Sequence, residues 1–204
     1  MNNNWHKKEK PLLGLTGLGG GVDGLAVVGA ATKTYVEDVF SNTPWVGNMT
    51  DRDINTGLDM SGKGGLAWLY TRSAATGGWL FDTVRGYNKF VRSSDAYGEG
   101  TETTMVSGFN STGFSLDGDG GQSDNTNYNG RDYISWNFRK QESFFDIVTW
   151  TGTGSYRTLD HNLGCIPGFI MLKKTSGSES WICWHRVMGS GSNAHYLKLD
   201  TTAA

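Results

Sequence analysis

Between Arg131 and Lys140 the chain reads RDYISWNFRK, with Ile134, Trp136 and Phe138 alternating with Tyr133, Ser135 and Asn137. Successive side chains of a strand point to opposite faces, so a period of two in β-branched and aromatic residues predicts a strand with two distinct faces. The pattern recurs in GGLAWLY, where Leu66, Trp68 and Tyr70 share one face and Ala67 and Leu69 the other, and in GGWLFDTV with Trp79 and Phe81. FFDIVTW, GFIMLKK, SWICWHRV and AHYLKL read as further strands. The clusters SGKGG, TGG, GDGGQSDNTNYNG, TGTG, SGS and GSGSN supply turns between them. No segment carries an amphipathic helical period over three turns. The expectation is an all-β chain, an antiparallel β-sandwich of jelly-roll or concanavalin-like type.

Composition narrows the function classes. Thirty of 204 residues are glycine, about twice the usual share of roughly 7%, but without the strict period of collagen. A content of 12% aromatic residues and a net charge of −2 oppose intrinsic disorder and give no electrostatic case for nucleic acid. No apolar run approaches the roughly 20 residues of a membrane helix, and MNNNWHKKEK is too polar for a secretory signal.

Residues 1–33 stand apart. After a basic start comes PLLGLTGLGGGVDGLAVVGAATK, dense in glycine yet rich in Leu and Val. Glycine at this density opposes a helix, each costing about 1 kcal/mol against alanine, while the aliphatic content is too high for a solvated linker. The segment reads as an anchoring arm that orders against another surface through Leu12, Leu13, Leu15, Leu18, Leu25 and Val27. Six aliphatic side chains contribute on the order of 10 kcal/mol when buried, before ordering costs.

The remainder repeats after about 105 residues. INTGLDMSGKGGLAWLYTRS matches LDHNLGCIPGFIMLKKTS, with Leu58 opposite Leu163, Gly65 opposite Gly168, Leu66 opposite Phe169 and Trp68 opposite Met171. WLFDTVRG matches WICWHRVMG, with Trp79 opposite Trp181, and NKFVRSS matches AHYLKLDTT in outline. The expected organisation is an arm over 1–33, a β-sandwich module over 34–142 and the start of a related module over 143–204. The second unit lacks a counterpart to the run ending in RDYISWNFRK. A longer polypeptide is therefore expected, or a partner that covers the exposed edges.

KKEKPLLGLTGLGGG, KTYVEDVFS, GFNSTGFSLDGD and the long run from NGRDYISWNFRK through GCIPGFIMLKKT to WICWHR carry a resemblance. Over roughly residues 7–203, and most specifically from Ser135 to Lys173, the chain resembles a family of phage virion appendage proteins, tail-fibre-like, common in phages of marine bacteria and cyanobacteria. The resemblance implies lectin-like β-sandwich modules, location in the virion and assembly in the host bacterial cytoplasm. It implies no catalysis, and it supplies no set of functional residues. Cys165, Cys183 and the length of the loop from Asp117 to Gly130 depart from the family pattern.

Sites of chemistry are sparse. His6, His161, His185 and His195 show no nucleophile–base arrangement, and a G-x-S-x-G elbow is lacking. Glycoside hydrolysis needs two carboxyl groups across a cleft, with Glu37, Asp38, Asp82, Glu99 and Glu102 as the available acids. Asp117, Asp119 and Asp124 offer oxygen ligands for calcium, without EF-hand spacing, and a solvated hairpin loop is the simpler reading. No metal or cofactor is expected. Cys165 and Cys183 fall in strands that the repeat makes neighbours, which permits a disulfide, whereas the reducing cytosol of phage assembly favours free thiols. Trp68, Trp79, Trp136, Trp150, Trp181 and Trp184 read as strand residues, mostly of the core. Trp45, after Pro44 in an apparent turn, suits either local packing or stacking on a sugar ring or neighbour.

The expected function is that of a non-enzymatic structural virion protein, a tail fibre or similar appendage. Residues 1–33 would bind tail, portal or capsid proteins, and copies would pack as a homo-oligomer, with three as the natural number. The alternatives are a capsid decoration or cement protein, and a glycan-binding module that recognises the host surface through Trp45. A carbohydrate-active enzyme is a further reading.

Overall fold

The computed structural model describes residues 33–118, 126–189 and 195–201. The described residues form eleven strands: β1 (Phe40–Val46), β2 (Arg52–Asn55), β3 (Gly65–Thr71), β4 (Trp79–Asp82), β5 (Gly86–Arg92), β6 (Gly100–Thr101), β7 (Val106–Asn110), β8 (Gly113–Leu116), β9 (Asp132–Arg139), β10 (Phe169–Leu172) and β11 (Ile182–His185). The helical elements among them are two 3-10 turns, Val36–Asp38 and Arg186–Met188. The fold is all-β and sandwich-like, and its pairings are antiparallel.

A six-stranded sheet runs in the order β1-β9-β3-β4-β5-β6, and a three-stranded sheet in the order β2-β8-β7. Between them lies a core that includes Trp45, Ile54, Leu69, Trp79, Phe81, Met105, Phe114, Leu116 and Tyr133. Alternation decides which side chains enter it. In β3 the inward residues are Gly65, Ala67, Leu69 and Thr71, and in β9 they are Tyr133, Ser135 and Asn137. The aromatic faces of these strands, expected inside, point the other way. Trp68 meets Trp136 edge-on at 5.6 Å on the half-buried outer face. The small, polar set is the more buried, and the Asn137 amide nitrogen finds partners there: Nδ2 donates to Ser135 Oγ at 2.9 Å and to Ser41 Oγ at 3.3 Å.

The outer face of the large sheet is covered by the C-terminal part of the chain. Hairpin β10–β11 places Met171 and Trp181 against Leu66, Trp68, Leu80 and Val91. Phe144 and Phe145 close over Phe138, at centroid distances of 6.4 and 5.4 Å. Hairpin β10–β11 thus forms a third layer over β3–β5, with Phe144 and Phe145 over β9.

Two of the expected strands are not formed. FFDIVTW turns back at the Gln141–Phe145 bridge, spends its phenylalanines on Phe138 and leaves Trp150 exposed outside any strand. Among its described residues, AHYLKL contributes a single bridge, Leu197 to Cys183.

Candidate functional site

The expected anchor residues Leu12, Leu13, Leu15, Leu18, Leu25 and Val27 lie outside the described residues, as do Trp5, His6, Asp119 and Asp124. Trp45 does not sit in a turn. It belongs to β1, an edge strand, where Pro44 is tolerated because it needs no ladder donor on the open side. Its side chain is buried, stacks on Tyr133 at 5.5 Å, and donates through Nε1 to the Thr126 carbonyl at 3.1 Å. A ring held in this way is part of the core and presents no face to a sugar, so the ligand-binding expectation for Trp45 is corrected.

Asp82, Glu99 and Glu102 are engaged in the fold. Asp82 is buried at a β-bulge, accepts from the backbone N–H of Val84 and Arg85, and pairs with Arg85 Nε at 2.5 Å. Arg85 also meets Glu99 at 3.3 Å, and Lys89 meets Glu99 at 3.4 Å. Glu102 accepts from the Thr104 hydroxyl and from the N–H groups of Thr103 and Thr104. The Thr104 hydroxyl bond, helped by these N–H bonds, holds the Glu102 carboxyl below its ordinary pKa against the opposing effect of burial. A carboxylate tied down in this way is a turn cap; a general acid needs the opposite shift.

Histidine and cysteine are equally dispersed. His161 and His185 are exposed and accept local backbone N–H bonds from Leu163 and Val187. Among the described residues no three His, Cys, Asp or Glu side chains converge as a metal site. Cys165 is exposed, in a bend and not in a strand, whereas Cys183 is buried in β11, and both are free thiols. Burial, with a smaller contribution from Asp200, raises the Cys183 pKa.

One open cleft of about 700 Å³ lies where the leader joins the sandwich. Its charged lining is mixed: Lys33, Lys63 and Arg139 against Glu37, Asp38 and Asp59. Arg139 is already committed, donating to the Asp38 carbonyl at 2.7 Å. An open, charge-balanced surface is unlike the enclosed pocket that buries most of a small ligand.

The distinctive surface is elsewhere. Ten of the sixteen exposed large apolar side chains among the described residues lie between Val148 and Leu199. They include Trp150, Tyr156, Ile166, Phe169, Leu172, Val187 and Tyr196, with Tyr156 fully exposed. Hairpin β10–β11 explains part of this. Met171 and Cys183 are ladder partners and face the large sheet, so period two turns Ile170, Leu172, Ile182 and Trp184 outward. Both faces of the hairpin are therefore apolar; on the outward one Leu172 is exposed and Ile170, Ile182 and Trp184 are half-buried. The sequence carries the signal in FIML and WICW, continuous apolar runs of the kind that two-sided burial produces. Residues 147–161 add to the exposed region. Among the described residues none of their backbone groups pairs with another backbone group.

The segment is nonetheless held to the sandwich. Lys173 Nζ donates to the carbonyl oxygens of Ala96, at 2.7 Å, and Glu179. Burial lowers its pKa, and Asp200, Asp95 and Glu179 oppose that shift. Asp146 anchors the turn before the exposed stretch: it lies 2.9 Å from Lys140 Nζ and accepts from Asn162 N–H at 2.8 Å.

Residues 36–204 match the family model of a domain of unknown function, DUF7483. No curated protein and no solved structure matches the chain.

Proposed function

The chain belongs to the DUF7483 family, whose function is unknown, and we propose that it is a structural assembly component of a bacteriophage particle, a tail fibre or similar appendage, that contributes surface and no catalysis. The observation that carries the reading is that ten of the sixteen exposed large apolar side chains among the described residues lie between Val148 and Leu199. Exposed apolar side chains concentrated in one part of the chain favour a contact with another polypeptide. The leader fits the same role as an anchor on tail, portal or capsid proteins, through Leu12, Leu13, Leu15, Leu18, Leu25 and Val27. The particle itself is named by the resemblance of Ser135 to Lys173 to virion appendage proteins.

The tandem-module reading belongs here too. Hairpins β3–β4 and β10–β11 each carry four ladder pairs and nine intervening residues, since Leu69 precedes Trp79 as Leu172 precedes Ile182. The ladders align Leu66 with Phe169, as in the sequence, but Trp79 with Ile182, one residue away from the match to Trp181. Strand β5 lies beside β4 as Leu197 lies beside Cys183. These parallels support descent of the two hairpins from one repeated unit.

Deleting residues 1–33 tests the reading. The expected product has an intact β fold and is missing from purified particles. Truncated protein incorporated at normal copy number contradicts the anchor. Capsid decoration is the second reading, separated from the first by where on the particle the leader makes contact.

A further inference from the structure

We infer that residues 147–161 form a processing loop, open at the Arg157–Thr158 bond to a protease that cleaves after basic residues, and that the cut chain stays together as two pieces. The inference concerns the free chain and does not depend on the assembly reading above. Hydrolysis adds one water across one amide: the C–N bond breaks, Arg157 gains a carboxylate and Thr158 an amine.

A protease draws consecutive residues into its own cleft, so it selects backbone that is exposed and not already hydrogen-bonded. Residues 148–158 are all exposed. Among the described residues, no backbone group from 147 to 161 pairs with another backbone group. A Cβ added at Gly152 or Gly154 would meet nothing within 4 Å. The loop is closed at its base, where Asp146 accepts from Asn162 N–H at 2.8 Å and Ser143 N–H donates to the Leu163 carbonyl at 2.8 Å. The bond that Arg157 makes, from Nη1 to the Thr151 carbonyl at 3.2 Å, lies within the loop itself. Basic residues elsewhere are tied more closely. Arg72, Arg131, Arg139 and Arg186 each commit their backbone N–H to a backbone carbonyl, and Lys89 and Arg92 lie in β5.

Hairpin β10–β11 lies beyond the cut and keeps its hold on the sandwich without the loop. Met171 and Trp181 pack on Leu66, Trp68, Leu80 and Val91. Trp181 Nε1 donates to the Arg92 carbonyl at 2.7 Å, Lys173 Nζ to the Ala96 carbonyl at 2.7 Å, and Glu99 N–H to the Thr175 carbonyl at 2.9 Å. All of these join one piece to the other, and none of them passes through the Arg157–Thr158 bond.

Limited digestion of the purified full chain, followed over time by mass spectrometry, tests this. Outside the described residues the basic side chains are Lys7, Lys8 and Lys10, so cuts in the leader are read separately. With trypsin the first cut beyond Lys33 is expected at Arg157, giving fragments that co-elute on native size exclusion and separate in denaturant. Chymotrypsin, which selects aromatic residues, is expected to make its first cut beyond Lys33 after Trp150 or Tyr156, in the same loop. Arg157→Gln should slow the first tryptic cut beyond Lys33 at least about tenfold, because the remaining sites must open bonded backbone first. Its far-UV circular dichroism should match wild type. A first cut elsewhere in 34–204 by either protease, or an Arg157→Gln chain cut as fast as wild type, overturns the assignment of the loop. Fragments that part under native conditions overturn the two-piece state.

Discussion

The indole N–H of Trp181 donates to the backbone carbonyl of Arg92 at 2.7 Å, joining residues 89 positions apart. The same ring is buried against Leu80 and Val91. One side chain therefore supplies both the apolar contact and the polar fix that seat the C-terminal hairpin on the outer face of the large sheet. The neighbouring residues Val91 and Arg92 of β5 thus supply part of the apolar contact and the whole of the polar one.

Trp181→Phe keeps most of the ring and removes the donor, so a loss of about 1 kcal/mol is expected. Trp181→Ala empties the site and should cost roughly 3–5 kcal/mol. Urea unfolding measures both, and amide exchange should quicken first in Ile182–His185. Equal effects from the two variants would contradict the division between bond and burial.

Trp45→Ala is expected to destabilise the sandwich by a similar roughly 3–5 kcal/mol, because its ring lies between Tyr133 and Phe114. Thermal unfolding is the measurement. A surface tryptophan changes stability by less than about 0.5 kcal/mol, so a neutral result would return Trp45 to the set of contact residues.

Asp146 gives the fold an acid-sensitive point. Burial pushes its carboxyl pKa up, but the Asn162 N–H bond and Lys140, with a further bond from Ile147, outweigh this and hold it below the ordinary value. A carboxyl whose pKa is depressed in the folded state stabilises fully above its unfolded pKa of about 3.9 and loses that contribution as pH falls through the lower folded value. Asp146→Asn should cost on the order of 2 kcal/mol at neutral pH and remove part of the stability loss between about pH 5 and the acid limit. Chemical denaturation at a series of pH values shows both. An unchanged acid limb would contradict the role.

The two thiols should separate in native alkylation. Cys165 is exposed, whereas Cys183 is buried in β11 with a raised pKa. Thiolate is the reacting form, so mass spectrometry should show one added group at Cys165 at early times, and Cys183 modified only after unfolding. Rapid labelling of Cys183 would mean that the hairpin opens readily.

Much of the sandwich was legible from period two alone. Strands β3, β4 and β9 lie where alternation placed them, since half-buried strands need that pattern. Alternation names two faces without saying which one is inner. Ser135 and Asn137 are buried and hydrogen-bonded to each other, which no periodicity reveals, and Trp136 lies on the outer face. Pro44 suggested a turn at Trp45, because proline marks an edge strand and a turn with equal force. FFDIVTW resembled a strand but uses its aromatics locally on Phe138. The apolar face of β10–β11 was present in FIML and WICW, as unbroken apolar runs where one-sided strands would alternate.

A reconstruction of the assembled phage particle tests the proposed role most directly. Expected is density for this chain in an appendage, with residues 12–27 lying against another polypeptide and the Val148–Leu199 surface in contact with a neighbouring polypeptide. Absence of the chain from the particle, or a leader that touches nothing in it, would contradict the proposal.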